Sequence, residues 1–419
     1  MATTTVNLTG IDSVQKKKKL LLIGDSITAQ GYSISPSIRY RNLGWWVWCN
    51  AFCNWTFEVV NVSAVSGWTS SQVLSDLESS LQTHQPDWVW GIIGQNDLGL
   101  SNPSLCIQNI SDVSELCNEY GAKLMIGTVT PRTSMSSTVT SDLYVINKGI
   151  RDMAREGKFL LFDSHASILD ADSLTGLANS SFLYDTLHPN PYGAWRIGKK
   201  AYELISNVVD LSDYSSGVSS GDDRTVVSNS PIINKNSKLA GTSGSKGTGA
   251  TGDVASSWFL GRSSGTGVSV VGSKVDISSD SSEEISQKID FSGTSAGSDE
   301  IRLQQTVALS ALASPVTVGV DTVRARAKVK LSSLSSNLTN CRLVVESINA
   351  VPASSAIGIS MIDNGFDLAS QPSDWFTIET PAGVIPADCV SLRISIFTKF
   401  SSGSVSGSIE VSNIFMELI

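Results

Sequence analysis

Residues 18–27 read Lys-Lys-Leu-Leu-Leu-Ile-Gly-Asp-Ser-Ile, four aliphatic residues in a row followed by a glycine, an acid and a hydroxyl. An apolar run without polar alternation predicts a strand over Lys19 to Ile23 that is covered on both faces, as in a parallel sheet. Gly24 and Asp25 end it in a turn, so Ser26 falls where the chain leaves the carboxyl edge of the sheet. That edge is where open α/β sheets place their ligands. Lys16 to Lys19 imitate the start of a secretory leader, but Gly24 and Asp25 close the apolar stretch too early. No segment approaches the roughly 18 apolar residues of a membrane span. The expectation is a soluble chain with no visible export signal.

Outward from this strand, Phe57 to Val62, Trp88 to Ile93, Lys123 to Val129 and Phe159 to Phe162 are further near-continuous apolar runs. Helices are expected between them, at Gly44 to Cys53, Ser70 to Leu81, Ser104 to Glu119, Ser141 to Arg155 and Tyr192 to Ile205. This alternation over residues 18–211, behind an N-terminal extension of 1–17, predicts a parallel five-stranded α/β sheet. From 212 to 255 Ser, Gly, Thr and Asp dominate, which reads as a linker. Beyond it the period changes. Val323, Ala325, Ala327, Val329 and Leu331 interleave with Arg324, Arg326, Lys328 and Lys330, the pattern of a half-buried strand. Similar runs at 268–277, 301–309, 341–348, 357–362, 375–380, 391–400 and 408–418 bring the count to about eight and predict an all-β, jelly-roll-like sandwich over 256–419.

The bulk composition agrees with two domains, since 419 residues exceed the size at which one core keeps growing. Charged residues make up only 16%, and a net charge of −9 disfavours nucleic acid or an anionic membrane as partner. Neutral or sugar-like substrates fit better. Six scattered cysteines without a C-x-x-C pair indicate neither a disulfide scaffold nor a zinc site. Cys49 and Cys53 read as buried thiols on one helix face, whereas Cys341 and Cys389 either pair across strands or stay in the core.

A serine hydroxyl needs a neighbouring base to act as a nucleophile, and the chain has three histidines. His188 lies in Tyr184-Asp185-Thr186-Leu187-His188-Pro189, just before the last expected helix. One turn there brings Asp185 to one ring nitrogen, fixing the tautomer, and leaves the other for Ser26. His84 precedes Pro86-Asp87 at a helix end, and His165 follows the fifth strand without an acid at comparable spacing. The third strand ends in Gly94-Gln95-Asn96-Asp97, and the second is followed by Ser66-Gly67-Trp68. In a 2-1-3-4-5 strand order, Asn96 emerges beside Ser26 at the topological switch point. Its side-chain amide, with the backbone N–H groups of Gly67 and Ser26, would form a three-donor oxyanion hole.

In order and placement, Gly24-Asp25-Ser26-Ile27, Gly67, Gly94-Gln95-Asn96-Asp97 and Asp185-Thr186-Leu187-His188 resemble the sequence blocks of the SGNH (GDSL-like) hydrolase family. Ile27 stands where the family's name has leucine. The resemblance covers about residues 18–207, under half of the chain. It implies a flavodoxin-like three-layer α/β/α fold, ester hydrolysis through an acyl-enzyme, and no metal or organic cofactor.

Other features are open to two readings. Asp25 and Asp97 read as scaffold residues of their turns, with Asp25 also a candidate beside the substrate. Trp68 is a candidate substrate wall, and Arg132, just past the fourth strand, reaches either the cleft or solvent. Trp45, Trp46, Trp48 and Trp55 read as a helix packed on the sheet, or as lining for an acyl or sugar pocket. The Arg324 to Lys330 row reads as a polar sheet face, or as a contact for a polyanionic glycan. Together these readings lead to a carbohydrate O-acetyl esterase acting on an acetylated polysaccharide. Its rivals are a lipase or thioesterase of the same family and a glycan-binding structural protein with an inert hydrolase domain. The Ser/Thr/Gly-rich C-terminal half resembles appendages of phage tail proteins. An extracellular or virion-associated place and a homo-oligomer are expected on that ground.

Overall fold

The computed structural model describes residues 17–34, 39–211, 221, 223–277, 285–332, 337–349, 354–362 and 375–419. The N-terminal extension up to residue 16 and most of the first ten residues of the expected linker lie outside them. The first half runs β1 (Lys18–Gly24), α1 (Ser26–Ala29), β2 (Tyr32–Ser33), β3 (Arg39–Arg41), α2 (Trp45–Phe52), β4 (Phe57–Ala64), α3 (Ser70–His84), β5 (Trp88–Ile92), α4 (Pro103–Glu119), β6 (Lys123–Gly127), α5 (Ser137–Arg155), β7 (Leu160–Phe162), α6 (Ser164–Ile168) and α7 (Pro191–Ile205). The second half is β: β8 (Ser243–Lys246), β9 (Ala250–Gly252), β10 (Val254–Ser264), β11 (Val268–Asp276), β12 (Ile285–Ala296), β13 (Glu300–Ala308), β14 (Thr322–Ser332), β15 (Leu338–Asn349), β16 (Ser354–Ile362), β17 (Phe376–Glu379), β18 (Gly383–Val384), β19 (Cys389–Phe400) and β20 (Ser402–Leu418).

The five-stranded parallel sheet has the order β4-β1-β5-β6-β7, so β1 and β5 are neighbours, as the 2-1-3-4-5 arrangement requires. The unbroken apolar run of β1 is explained by its two covers. Leu20 and Leu22 pack with Trp45, Trp46, Ile197 and Ala201 of α2 and α7. Leu21 and Ile23 point the other way, onto Val73, Leu77, Ile110 and Ile146 of α3, α4 and α5. Two cores on opposite faces make the three layers. Trp45, Trp46 and Trp55 are buried in the core beneath α2 and α7 and Trp48 in the core of the second half, so the four pack, with Trp48 and Trp55 beside only a small cavity at Phe376 and Ile378. The fourth strand ends at Gly127, short of the expected Val129, because Asn147 takes over the backbone of Val129 at 2.7 Å and 2.9 Å.

Two further sheets enclose the core of the second half, built from residues such as Trp258, Leu303, Val329, Ile396 and Ile409. The segment read as a linker supplies edge strands β8 and β9 to these sheets. Most of β14's apolar row is inside as expected, with Val323, Ala325, Ala327 and Val329 fully covered.

Its charged row, expected as a polar sheet face, is paired with acids at three of its four positions. Arg326 lies opposite Glu379 on β17, and Arg324 and Lys330 lie opposite Glu417 and Glu410 on β20. These three cations are met across the ladder by acids, whereas Lys328 lies opposite Thr377 and Ser412. Glu379 also receives Lys17 at 2.6 Å, and Arg324 approaches Glu58 of β4, so the Arg324–Arg326 end of this face is part of the seam between the two halves. The seam continues through backbone. The hairpin β2–β3 leaves the first half and pairs in parallel with β16 through Arg39, Tyr40 and Arg41. Trp55 Nε1 donates to the Thr377 carbonyl at 2.8 Å.

All six cysteines are free and buried. Cys341 and Cys389 sit at opposite ends of the β15–β19 ladder, opposite Thr398 and Asn349, too far apart to bridge.

Candidate active site

The site is assembled at the carboxyl edge of the parallel sheet. Gly24 closes β1 at φ +131°, and a Cβ there would come within 2.5 Å of the Ile92 carbonyl oxygen on β5. Only glycine lets the two strand ends lie so close. Asp25 then caps α1, its Oδ1 accepting from the Ile27 N–H at 2.9 Å, and Ser26 opens that helix. The Asp25 carboxyl is buried, and its Oδ2 has no partner among the described residues. Burial, with the nearby charge of Asp97, raises its pKa to about 7 against the opposing hydrogen bonds from Ile27 and Gln95 and the influence of His188.

His188 is held by its own loop. The Tyr184 N–H donates to the His188 carbonyl at 3.1 Å, and the loop ends at Asn190, whose Oδ1 caps α7 by accepting from Tyr192 and Gly193, both at 2.9 Å. Asp185 Oδ1 accepts the backbone N–H groups of Leu187 and His188 at 2.7 Å, and its Oδ2 lies 2.8 Å from His188 Nδ1. The other ring nitrogen, Nε2, lies 2.9 Å from Ser26 Oγ. Burial pushes the Asp185 carboxyl up, but the hydrogen bonds from His188 and Leu187 outweigh it and hold it below the ordinary range. The structure thus brings Ser26, His188 and Asp185 into one hydrogen-bonded chain.

Asn96 follows β5 and donates through Nδ2 to the Trp68 carbonyl at 2.9 Å, which ties it to the loop carrying Gly67. Gly67 has φ +86° and open space where a Cβ would project. The glycine is required there by the backbone conformation and not by crowding. Asp97 anchors the base of this arrangement, accepting from the Ser70 N–H at 2.9 Å and the Ser70 hydroxyl at 2.6 Å. Trp68 is half-buried against the α3–α5 core, which leaves part of its surface open. Arg132 donates to the Gln95 carbonyl at 2.9 Å and interacts electrostatically with Asp25, so it braces the floor of the site.

The other two histidines are elsewhere in the fold. His84 closes α3. His165 is buried in α6, where burial lowers its pKa. Sequence reasoning missed Tyr184 and Gln30. Tyr184 stacks on the His188 ring, with centroids 5.6 Å and planes 9° apart, and its hydroxyl accepts from Gln30 Nε2 at 3.0 Å. The one available signal was an aromatic residue four positions before His188 in the same loop.

Residues 22–196 match the GDSL-like Lipase/Acylhydrolase family, and this stretch carries Ser26, Gly67, Asn96, Asp185 and His188. Residues 22–196 therefore carry a GDSL-like acylhydrolase domain. Solved structures similar to it include a GDSL-like lipase from Bacteroides thetaiotaomicron, at 18% identity and TM-score 0.38, covering 47% of this chain and 92% of that one. An acetylxylan esterase from Geobacillus stearothermophilus is similar at 19% identity and TM-score 0.38, over 46% and 95% of the two chains. A G-D-S-L family lipolytic protein from Veillonella parvula is similar at 21% identity and TM-score 0.37, over 45% and 99%. No curated protein sequence matches the chain significantly.

Proposed function

We propose that this protein is a serine esterase that removes O-acetyl groups from a polysaccharide through an acyl-enzyme. The observation that carries the reading is the chain Asp185 Oδ2, His188 Nδ1, His188 Nε2, Ser26 Oγ, joined at 2.8 Å and 2.9 Å. In this reading His188 Nε2 takes the Ser26 proton as Oγ bonds to the ester carbonyl carbon. The developing oxyanion is met by the Ser26 and Gly67 amides and the Asn96 side chain. The carbonyl re-forms, the sugar alkoxide leaves with the proton from His188, and a water repeats the cycle to release acetate.

A short acyl group is supported by the packing, because Trp45, Trp46, Trp48 and Trp55, the rings able to line a long acyl channel, are all buried in the cores. A sugar alcohol is supported by the exposed Tyr184 ring beside His188, a flat face suited to a pyranose. A polymeric glycan places such an enzyme outside a cell or on a virion.

The first test is p-nitrophenyl acetate hydrolysis by the wild type beside Ser26→Ala, with octanoate as the second ester. Acetate turnover that requires Ser26 and exceeds octanoate turnover is expected. Equal background rates in both proteins would discard the esterase, and a preference for octanoate would replace the deacetylase with a lipase.

A further inference from the structure

The hairpin β2–β3 has a second consequence. Its strand β3 alternates half-buried, buried, half-buried. Tyr40 points inward, stacked 4.9 Å from Trp55 and edge-on 5.5 Å from Trp46. Strand geometry turns Arg39 and Arg41 to the opposite side. The Arg41 N–H donates to the Gly31 carbonyl at 2.8 Å, which sets Arg41 beside Gln30. Gln30 in turn holds the Tyr184 hydroxyl, and the Arg41 charge acts on that phenol, opposing the upward push of burial and Asp185. A continuous strip therefore runs from Ser26 through His188, Tyr184 and Gln30 to Arg41.

Two polar groups on this strip are incomplete. Among the described residues the half-buried Arg41 guanidinium has no hydrogen-bond or ion-pair partner, whereas Arg324 and Arg326 of the nearby seam have theirs. Gln30 Oε1 is buried and likewise has none. A partly desolvated guanidinium without a protein partner is costly unless something else supplies the acceptor. Its planar fork matches a carboxylate in two parallel hydrogen bonds. The net charge of −9 makes the chain as a whole repel polyanions, so attraction here has to be local.

We infer that Arg41, with the Tyr184 face and Gln30, forms a subsite for a carboxylate-bearing sugar next to the acetylated one, so that the substrate is an acidic O-acetylated polysaccharide. The inference rests on the esterase reading of Ser26. The sugar ring lies on Tyr184, and its carboxylate takes the Arg41 fork.

The test compares O-acetylated polygalacturonate with the same polymer after methyl esterification, which keeps the acetyl groups and removes the charge. Wild type is expected to favour the free acid by about tenfold or more in kcat/KM, with the preference shrinking as salt rises. Arg41→Gln should abolish the preference while p-nitrophenyl acetate turnover stays within about twofold, and Arg41→Lys should keep part of it. The Ser26→Ala protein reads the same preference as binding, without turnover. No preference in the wild type, a preference that survives Arg41→Gln, or a loss that extends equally to p-nitrophenyl acetate would overturn the subsite. Failure of the esterase reading shows separately, as p-nitrophenyl acetate turnover indifferent to Ser26.

Discussion

Two clusters of charged and hydrogen-bonded side chains lie in this molecule, and they use the same chemistry for opposite ends. At the cleft, Asp185 and His188 are 43% and 22% exposed; at the seam, Lys17, Arg326 and Glu379 are 4–5% exposed. Burial pushes the Glu379 carboxyl up, but Lys17, Arg326 and Arg324 outweigh it and hold it at about 2. At the seam each of these charges is paired with an opposite one. At the cleft the chain of partners ends on Ser26 Oγ, which, as the proposed nucleophile, has a proton to give to His188 and a lone pair to give to a substrate. Enclosure makes a fastening, and an unfinished network makes a reactive group.

The largest effects should come from the unfinished network. Ser26→Ala removes its end, and Asp185→Asn keeps its shape but removes the charge and favours the wrong ring tautomer. Each should lower kcat on p-nitrophenyl acetate by about 10³-fold or more, with the double variant little worse than the more damaging single one. Thermal midpoints should hardly move, because Asp185 is 43% exposed and an asparagine oxygen there can still accept the Leu187 and His188 N–H groups. A large fall in melting temperature for Asp185→Asn would erase the contrast with the seam.

Glu379→Gln is the converse experiment. It leaves Lys17, Arg324 and Arg326 facing one another in a buried place, and losing one partner of such a cluster costs about 3–5 kcal/mol. The thermal midpoint should fall by several degrees while kcat at 25 °C stays within about twofold. Since the folded Glu379 pKa lies below its ordinary 4.5, its contribution is complete above that pH and is lost as the pH falls toward 2. The wild type should therefore lose most of its lead in stability over the variant in acid. An unchanged midpoint at neutral pH would show that the seam is not held by this cluster.

Much of this could be read from the chain because it is local. Leu20 to Ile23 carry their two-sided burial in their own composition, and Asp185 and His188 meet within one turn. A parallel sheet gathers the carboxyl ends of its strands on one edge, so the sequence alone expects Asn96 on the edge that carries Ser26, and the 2-1-3-4-5 order it assumes is the order found. What was not legible is what covers a face. Alternation along β14 separates Arg324 and Arg326 from Val323 and Ala325 but is silent on the acids opposite them, which come from residues about fifty and ninety positions away. The hairpin β2–β3 was missed because strands of two and three residues have no period to detect. Arg41 was missed with it. In β20 the leading Ser-Gly-Ser-Val-Ser-Gly segment hides a strand whose one large apolar side chain, Val405, is buried.

The smallest expected effect concerns Asp25, which has features of both clusters, being enclosed like the seam yet unfinished like the cleft. Its folded pKa of about 7 lies above its ordinary 3.8, so between these values the folded state keeps a proton that the unfolded chain has lost. Stability therefore falls as the pH rises through that window and levels off above 7. Asn has the shape of the protonated acid and still offers an oxygen to the Ile27 N–H, but it never takes the charge. Asp25→Asn and wild type should thus differ little near pH 4, and the variant should gain about 2–3 kcal/mol relative to wild type between pH 5 and pH 8. Thermal melts of the pair across that range read the difference directly. A constant offset at every pH would mean that Asp25 is already ionised throughout and that an unseen partner, such as Arg132 moved from Gln95, completes it. A gain that opens with pH would identify a carboxylic acid held neutral beside Ser26 by burial and the nearby Asp97.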